Sequence, residues 1–471
     1  MAIISSEFID HISGQLPAHL SLESFLDFCN KPLRLSIRVN TLKISCADFL
    51  ALIQQKNWKL TPIPWCDSGF WIELPDDIQL GNSVEHQQGL FYIQEASSML
   101  PPLALFSDLV NCKTVLDMAA APGSKTTQIA ALMENKGLLI ANEYSSSRIK
   151  MLHANLVRTG VTNCALTHFD AEVFGEYLFE SFDAILLDAP CGGEGTVRKD
   201  VDALKSWQLS DVLSIAEKQK QLIKSAFEAL KVGGTLVYST CTLSKEENQQ
   251  VCYDLKTSFP DAVEFVSLNN LFEGSQESCT EEGFLHVWPQ TYDSEGFFVA
   301  KIKKIAKIPQ SKSTPKKQKN FPFTSVSSKQ QAEIQLWLNN AFNITIPSNL
   351  KLMCRDNQFW LFPIGFDEFI GKMRFQRIGL KLAEQKGKHL KLSHEAATAL
   401  ANQQSNKIDI TQAQAAEYLK GRDIPLTDAV TTKGEMLVFH NQTALGLTKH
   451  LGSRLKNNLP RDLVRDNTLT L

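Results

Sequence analysis

Between residues 112 and 305 the chain alternates short apolar runs with longer amphipathic ones, and that alternation limits the folds open to it. The runs 114–119, 137–143, 164–170, 182–189 and 234–240 are rich in Val, Ile, Leu and Phe and read as strands. Between them, 125–133, 148–159 and 209–231 carry helical spacing, the second capped by Gly160 and the third by Gly233-Gly234. Strands that are apolar on both faces and separated by helices predict an α/β fold, a mainly parallel doubly wound sheet. A helix over 245–257 and the run 296–302 close this domain near residue 305.

At 471 residues there is room for about three domains of roughly 150 residues each. Residues 1–95 read as a small α+β module. Phe8, Ile12, Leu16, Leu20, Phe25 and Phe28 have helical spacing, 35–40 alternates like a strand, and 47–56 reads as a short helix. Residues 96–305 hold the α/β domain, 306–320 a linker, 321–392 a second α/β module, and 393–471 a last domain with short strands such as 436–439. The stretch 301–319 carries eight lysines and no acid, and is expected to be solvated and open to phosphates.

Charge divides the chain. Residues 1–300 hold 21 Lys+Arg against 38 Asp+Glu, a balance of −17, whereas 301–471 hold 27 against 13, a balance of +14. A basic appendage of this kind docks on a polyanion, although solubility alone would also account for it. No apolar run approaches ~18 residues, so no membrane span or membrane partner is expected. The segment 1–10 lacks the basic start of a signal peptide. Ten cysteines show no zinc spacing, so neither metal nor disulfide framework is expected, and a reducing cytoplasm is the expected compartment.

Parallel sheets bind ligands beyond the carboxyl ends of their strands. The first such loop, Ala119-Ala120-Ala121-Pro122-Gly123-Ser124-Lys125, is small enough for close backbone approach, yet lacks both Gly-x-Gly-x-x-Gly and the Walker spacing. Glu143 ends the second strand, where a carboxylate accepts ribose hydroxyls. Asp170 ends the third, placed for an adenine amino group, and Asp188 ends the fourth, near the reacting group. The set favours S-adenosylmethionine as cofactor. Two further strand ends carry thiols, Cys191 in Asp188-Ala189-Pro190-Cys191-Gly192-Gly193 and Cys241 in Ser239-Thr240-Cys241-Thr242. Either cysteine alone would read as a small buried hydrophobe; together at neighbouring strand ends they point to covalent attack on an electrophilic ring. Lys125 is placed to reach the cofactor carboxylate or a phosphate. Arg198 and Lys199 are candidates to grip an RNA backbone, although each is equally a solvated charge.

On 119–126, 188–195 and 239–248 the chain resembles the Sun/NSUN family of RNA cytosine-C5 methyltransferases. Arg38-Val39-Asn40-Thr41-Leu42-Lys43, Gln94-Glu95-Ala96-Ser97-Ser98-Met99 and Gly296-Phe297-Phe298 extend the likeness over roughly residues 35–303. Gly192 departs from the Ser common in the wider family, and Val287-Trp288-Pro289 lacks the Arg often found before that proline. The resemblance implies a Rossmann-like S-adenosylmethionine-dependent fold, with Cys241 as nucleophile, Cys191 aiding product release and Asp188 as the acid beside the cytosine ring. The nearest branch implies a C-terminal PUA-like RNA-binding domain. As substrate it implies 16S ribosomal RNA at cytosine 1407, within the 30S subunit or an assembly intermediate, the alternative being C5-methylation of another rRNA or tRNA cytosine. A monomer is expected. Three rivals differ in class. A DNA cytosine-C5 methyltransferase would attack with Cys191 and have no need of Cys241. An amino-directed methyltransferase would want Asn/Asp-Pro-Pro-Tyr/Phe after the fourth strand. A non-catalytic RNA-binding assembly factor could lose either thiol.

Overall fold

The computed structural model describes residues 2–76, 78–109, 112–426 and 433–465. Its centre is a nine-stranded sheet. In chain order the strands are β1 (Thr114–Asp117), β2 (Leu138–Asn142), β3 (Cys164–Thr167), β4 (Phe182–Asp188), β5 (Leu230–Thr240), β6 (Val263–Val266), β7 (Leu285–Val287), β8 (Phe297–Lys304) and β9 (Phe375–Ile378). They lie in the order β6-β8-β5-β4-β1-β2-β3-β9, with β7 paired to β8. The five strands from β5 to β3 are parallel, whereas β6, β7, β8 and β9 pair antiparallel. Helices α1 (Ser124–Leu132), α2 (Arg148–Thr159), α3 (Leu209–Ala229) and α4 (Gln249–Ser258) lie among these strands in the chain. Two apolar clusters cover the sheet, one holding Leu116, Ile140 and Ile185, the other Val115, Leu139 and Ala184. Consecutive residues of one strand enter opposite clusters, as a sheet buried on both faces requires.

Several boundaries differ from the sequence reading. Strand β3 ends at Thr167, so Asp170 lies three residues beyond the strand and caps the turn Ala171–Val173. Strand β5 begins at Leu230 rather than at 234. Helix α3 stops at Ala229 rather than running on to the glycine pair, because Leu230 is already extended and pairs with Phe182. Helix α4 begins at Gln249 rather than at 245, since the buried side chains of Glu247 and Asn248 are used to tie loops together.

The basic stretch also behaves differently from the expected solvated linker. Lys301 and Lys304 lie on β8 and are only 2% and 0% exposed. Lys301 pairs with Asp108, and Lys304 lies 3.3 Å from Glu180 while donating to the Leu230 carbonyl. The lysines from 307 onward remain on the surface.

A four-stranded antiparallel sheet, with Ser36–Val39 at its heart, forms the N-terminal module. The first helical stretch breaks into Ser6–Ser13 and Leu22–Cys29, capped by Ser5 and Ser21. These helices pack on Val197, Leu204, Trp207 and Leu243, over the loops that follow β4 and β5. Beyond β8, a five-stranded sheet packs with helix Ser328–Phe342, and a second five-stranded sheet includes Gly434–His440 and Thr443–His450. Strand β9 belongs by sequence to the module at 321–392, yet completes the central sheet against β3. The expected 393–471 domain includes 427–432 and 466–471, which lie outside the described residues. No helix among the described residues is long and apolar enough to cross a membrane.

Candidate active site

The loops after β1, β2, β3, β4 and β5 all open on one edge of the sheet. The first turns at Gly123, whose φ of +109° disfavours any side chain; a Cβ there would also sit 3.0 Å from Leu152 Cδ1. Arg148 Nη2 holds the Ala121 carbonyl at 2.5 Å and Asn155 Nδ2 the Pro122 carbonyl at 2.9 Å. The loop is therefore fixed at the end of β1.

Glu143 lies beneath this loop, 4% exposed, accepting from the amides of Ala121 at 3.3 Å and Ser145 at 2.7 Å. Asp170 accepts from the Glu172 amide at 3.1 Å and meets Lys218 Nζ at 3.4 Å, leaving its carboxylate partly open. Asp188 accepts from Ser239 Oγ and from Lys125 Nζ, each at 2.8 Å. Lys125 also donates to Ser98 Oγ at 2.9 Å, so its ammonium lies between the first loop and the fourth strand end. Burial alone would push Lys125 down, but Asp188, then Cys241 and Asp117, outweigh it and hold it above its ordinary value. It is a permanent cation that also acts on the Cys241 sulfur. Asp117, buried at the end of β1, is pushed by that burial up to about 7.

The structure brings the two thiols together. Cys191 Sγ and Cys241 Sγ are 3.3 Å apart, and neither is in a disulfide. The hydrogen bond to Cys241, together with burial, drives the Cys191 thiol well above its ordinary value. The Cys191 thiol is thus held in its protonated form.

Sequence reasoning missed the two buried carboxylates that clamp these loops. Glu194, from the Cys191 loop, accepts from the amides of Leu243 and Ser244 beyond Cys241, both at 2.8 Å. Glu247, from the Cys241 loop, accepts from the Gly192 amide at 3.0 Å and from Gln219 Nε2 at 2.7 Å, and burial raises it to about 7. A Cβ at Gly192 would stand 2.8 Å from Glu247 Oε1, so the glycine and this carboxylate fit one another. A Cβ at Gly195 would meet the Gly296 carbonyl at 2.1 Å, which explains why glycines occur in both segments. Glu194 had a local signal, an acid set among glycines, whereas Glu247 sits in the polar run Lys245-Glu246-Glu247-Asn248 and had none.

Arg198 does not reach outward. Its side chain is buried on Asp293 at 2.7 Å and on the carbonyls of Pro32 and Ser294 at 2.7 and 3.1 Å; Lys199 beside it is exposed. Arg38 was singled out only as part of a motif. It is buried, donating to Gln94 Oε1 at 2.9 Å and to Thr127 Oγ1 at 2.8 Å, and so couples the N-terminal sheet to α1.

The family described as 16S rRNA methyltransferase RsmB/F matches residues 104–303. The N-terminal domain of 16S rRNA methyltransferase RsmF matches 4–96. The pre-PUA domain of ribosomal RNA small subunit methyltransferase F matches 323–400, and the RsmF PUA domain 405–465. The ribosomal RNA small subunit methyltransferase F of Shewanella sediminis is 61% identical over 468 residues, 99% of this chain and 98% of that protein. This chain belongs to the RsmB/F family of 16S rRNA methyltransferases. The counterpart of the same description from Shewanella oneidensis is 60% identical over 471 residues, covering 100% of this chain and 99% of that one. Among solved structures, a methyltransferase homolog protein from Pyrococcus horikoshii is 35% identical, with a TM-score of 0.54, covering 64% of this chain and 95% of that chain. The chain is an S-adenosylmethionine-dependent rRNA methyltransferase with a Rossmann-like catalytic domain and a C-terminal PUA domain.

Proposed function

We propose that this enzyme methylates C5 of a cytosine in 16S ribosomal RNA, cytosine 1407 being the expected address, through a bond between Cys241 Sγ and ring carbon C6. The observation that carries the reading is the thiol pair at 3.3 Å on neighbouring strand ends, beside Asp188 and Lys125.

The first-loop residues 119–125 fit S-adenosylmethionine, because their fixed backbone leaves room for close approach and Glu143 lies directly under it. Glu143 accepts the ribose hydroxyls, Asp170 the adenine amino group, and Asp188 borders the reacting end. The cofactor supplies an electrophilic methyl group. Cytosine C5 attacks poorly until a nucleophile has added at C6. Cys241 makes that addition as the thiolate, with the Lys125 charge nearby and the Cys191 S–H donating to its sulfur. Asp188 holds the N3 edge of the ring. After methyl transfer a base takes the C5 proton, the freed electron pair re-forms the C5–C6 double bond, and the C6–S bond breaks to release Cys241 as the thiolate, assisted by Cys191.

The chain divides on this reading into an RNA-binding module (1–95), the catalytic domain (96–305), a basic linker (306–320), a pre-PUA module (321–392) and a PUA domain (393–471). It works as a cytoplasmic monomer on free rRNA or the 30S subunit, in keeping with ten unpaired cysteines. Purified enzyme, labelled cofactor and unmethylated 16S rRNA or 30S subunits test the chemistry. Nucleoside analysis should find 5-methylcytidine, and bisulfite mapping should locate it. Label on an exocyclic amine, or on a base other than cytosine, would end the C5 reading.

A further inference from the structure

The linker and the module after it enclose a concavity of about 890 Å³, on the β9 flank of the central sheet. Its lining includes four cations, Lys319, Arg355, Arg374 and Arg377, and no carboxylate. Arg377 is held from behind by Glu395, and Arg355 by its neighbour Asp356 at 3.1 Å. Lys319 and Arg374 are exposed and, among the described residues, have no acidic partner.

Between the cations stand half-buried rings. Phe323 meets Trp360 edge-on at 5.8 Å, and the Arg377 guanidinium lies 5.0 Å from the Trp360 ring. These rings pack against the apolar cluster under the sheet while also lining the groove, so they are held rigid. The linker enters along the same surface, where the Gln318 amide donates to the Gly371 carbonyl at 2.8 Å. Partial burial and then the nearby Lys317 charge hold Lys372 below its ordinary value, even though Glu368 acts the other way.

The groove reaches the ligand edge of the sheet. Phe375 on β9 stands opposite Thr167 at the end of β3, and Thr167 Oγ1 donates to the Arg374 carbonyl at 3.0 Å. Four strand spacings separate β9 from β4, which leads to Cys191; at ~4.8 Å each that is roughly 19 Å. Rigid rings with unpaired cations suit unpaired bases and their phosphates better than a duplex, whose bases offer no free face.

We propose that this groove binds an unpaired stretch of the RNA substrate, stacking a base at Phe323 and Trp360 and holding phosphates with Lys319 and Arg374. The inference rests on the reading that RNA is methylated at the cysteine pair.

The test uses the full chain and a short fluorescein-labelled single-stranded RNA of mixed sequence, followed by anisotropy across a salt series. Lys319→Ala/Arg374→Ala should bind about ten-fold more weakly at low salt. The slope of log K against log salt should shrink by about 1.4, at ~0.7 for each phosphate left without its cation. Phe323→Leu, its fold checked by thermal melting, should lose about three-fold for the single strand and nothing for a blunt-ended RNA duplex. Parent affinity and slope in the double variant would overturn the proposal. So would parent single-strand affinity in Phe323→Leu, or weakened binding of poly-glutamate in place of RNA. Methylation separates the two readings. Variants that form 5-methylcytidine with an unchanged KM for RNA would remove the groove and leave the chemistry. A parent that binds through the groove yet forms no 5-methylcytidine would do the reverse.

Discussion

Cys191 Sγ and Cys241 Sγ lie 3.3 Å apart, close enough for one S–H to bond to the other sulfur. The bond to the Cys241 sulfur and burial of the thiol hold Cys191 well above its ordinary value, while the Lys125 cation lies within reach of Cys241. The two alanine variants should therefore fail differently. Cys241→Ala should give no methylation and no adduct. Cys191→Ala should add and methylate but release slowly, so that protein cross-linked to methylated RNA accumulates on denaturing gels. A trapped complex in Cys241→Ala alone would instead assign attack to Cys191, as in the DNA-type mechanism. Glu143 carries a second residue-scale expectation. It holds the Ala121 and Ser145 amides as well as facing the proposed ribose site, so Glu143→Ala should weaken cofactor binding by ~1–3 kcal/mol. Calorimetric titration giving equal affinity would remove Glu143 from the site.

At the scale of elements, the thiols meet because the loops after β4 and β5 are clamped at two points by Glu194 and Glu247. Burial raises Glu247 from 4.5 to about 7. The folded protein thus retains a proton that the unfolded chain releases between those values. Its ionisation contributes nothing below about pH 4.5, and costs increasing stability as pH rises to about 7, on the order of 3 kcal/mol in total. Glu247→Gln removes this titration, so its melting temperature should fall less than the parent's between about pH 5 and pH 7.5. Identical pH profiles would show that Glu247 does not carry the proton. The same loops touch at backbone level where Gly195 meets Gly296. A methyl group there cannot be relieved by a side-chain movement, since its neighbour is a carbonyl at 2.1 Å. Gly195→Ala should destabilise by ~1–3 kcal/mol and separate the loops; thermal melting with an activity assay reads both effects.

On the scale of the whole molecule, the acidic catalytic part and the basic C-terminal part share a core rather than meeting through a tether. Phe366, Phe369, Met373 and Ile378 belong to the cluster that also holds Leu116 and Phe182. Cutting the chain after residue 305 would expose that apolar surface and leave the edge of β3 unpaired. The truncated protein should melt well below the full chain or aggregate during purification. A soluble truncation with the parent's melting temperature would show that β9 is dispensable. The RNA affinity proposed for the basic third is therefore best measured by charge substitutions in the full chain.

Local patterns settled much of this protein before any contact was known. Strand and helix periodicity, the small first loop, the acids at strand ends and the paired thiols were legible because each depends on residues close in sequence. The fate of individual charges was not. Lys301, Lys304 and Arg198 read as solvated or RNA-facing cations, yet Asp108, Glu180 and Asp293 draw them into the interior. Strand β9 was hidden for the same reason, since its partner lies some 200 positions earlier, Phe375 against Thr167. Periodicity determines which residues turn inward. Only the assembled structure decides what waits there, because a buried charge or an edge strand is stabilised by a partner that chain distance does not encode.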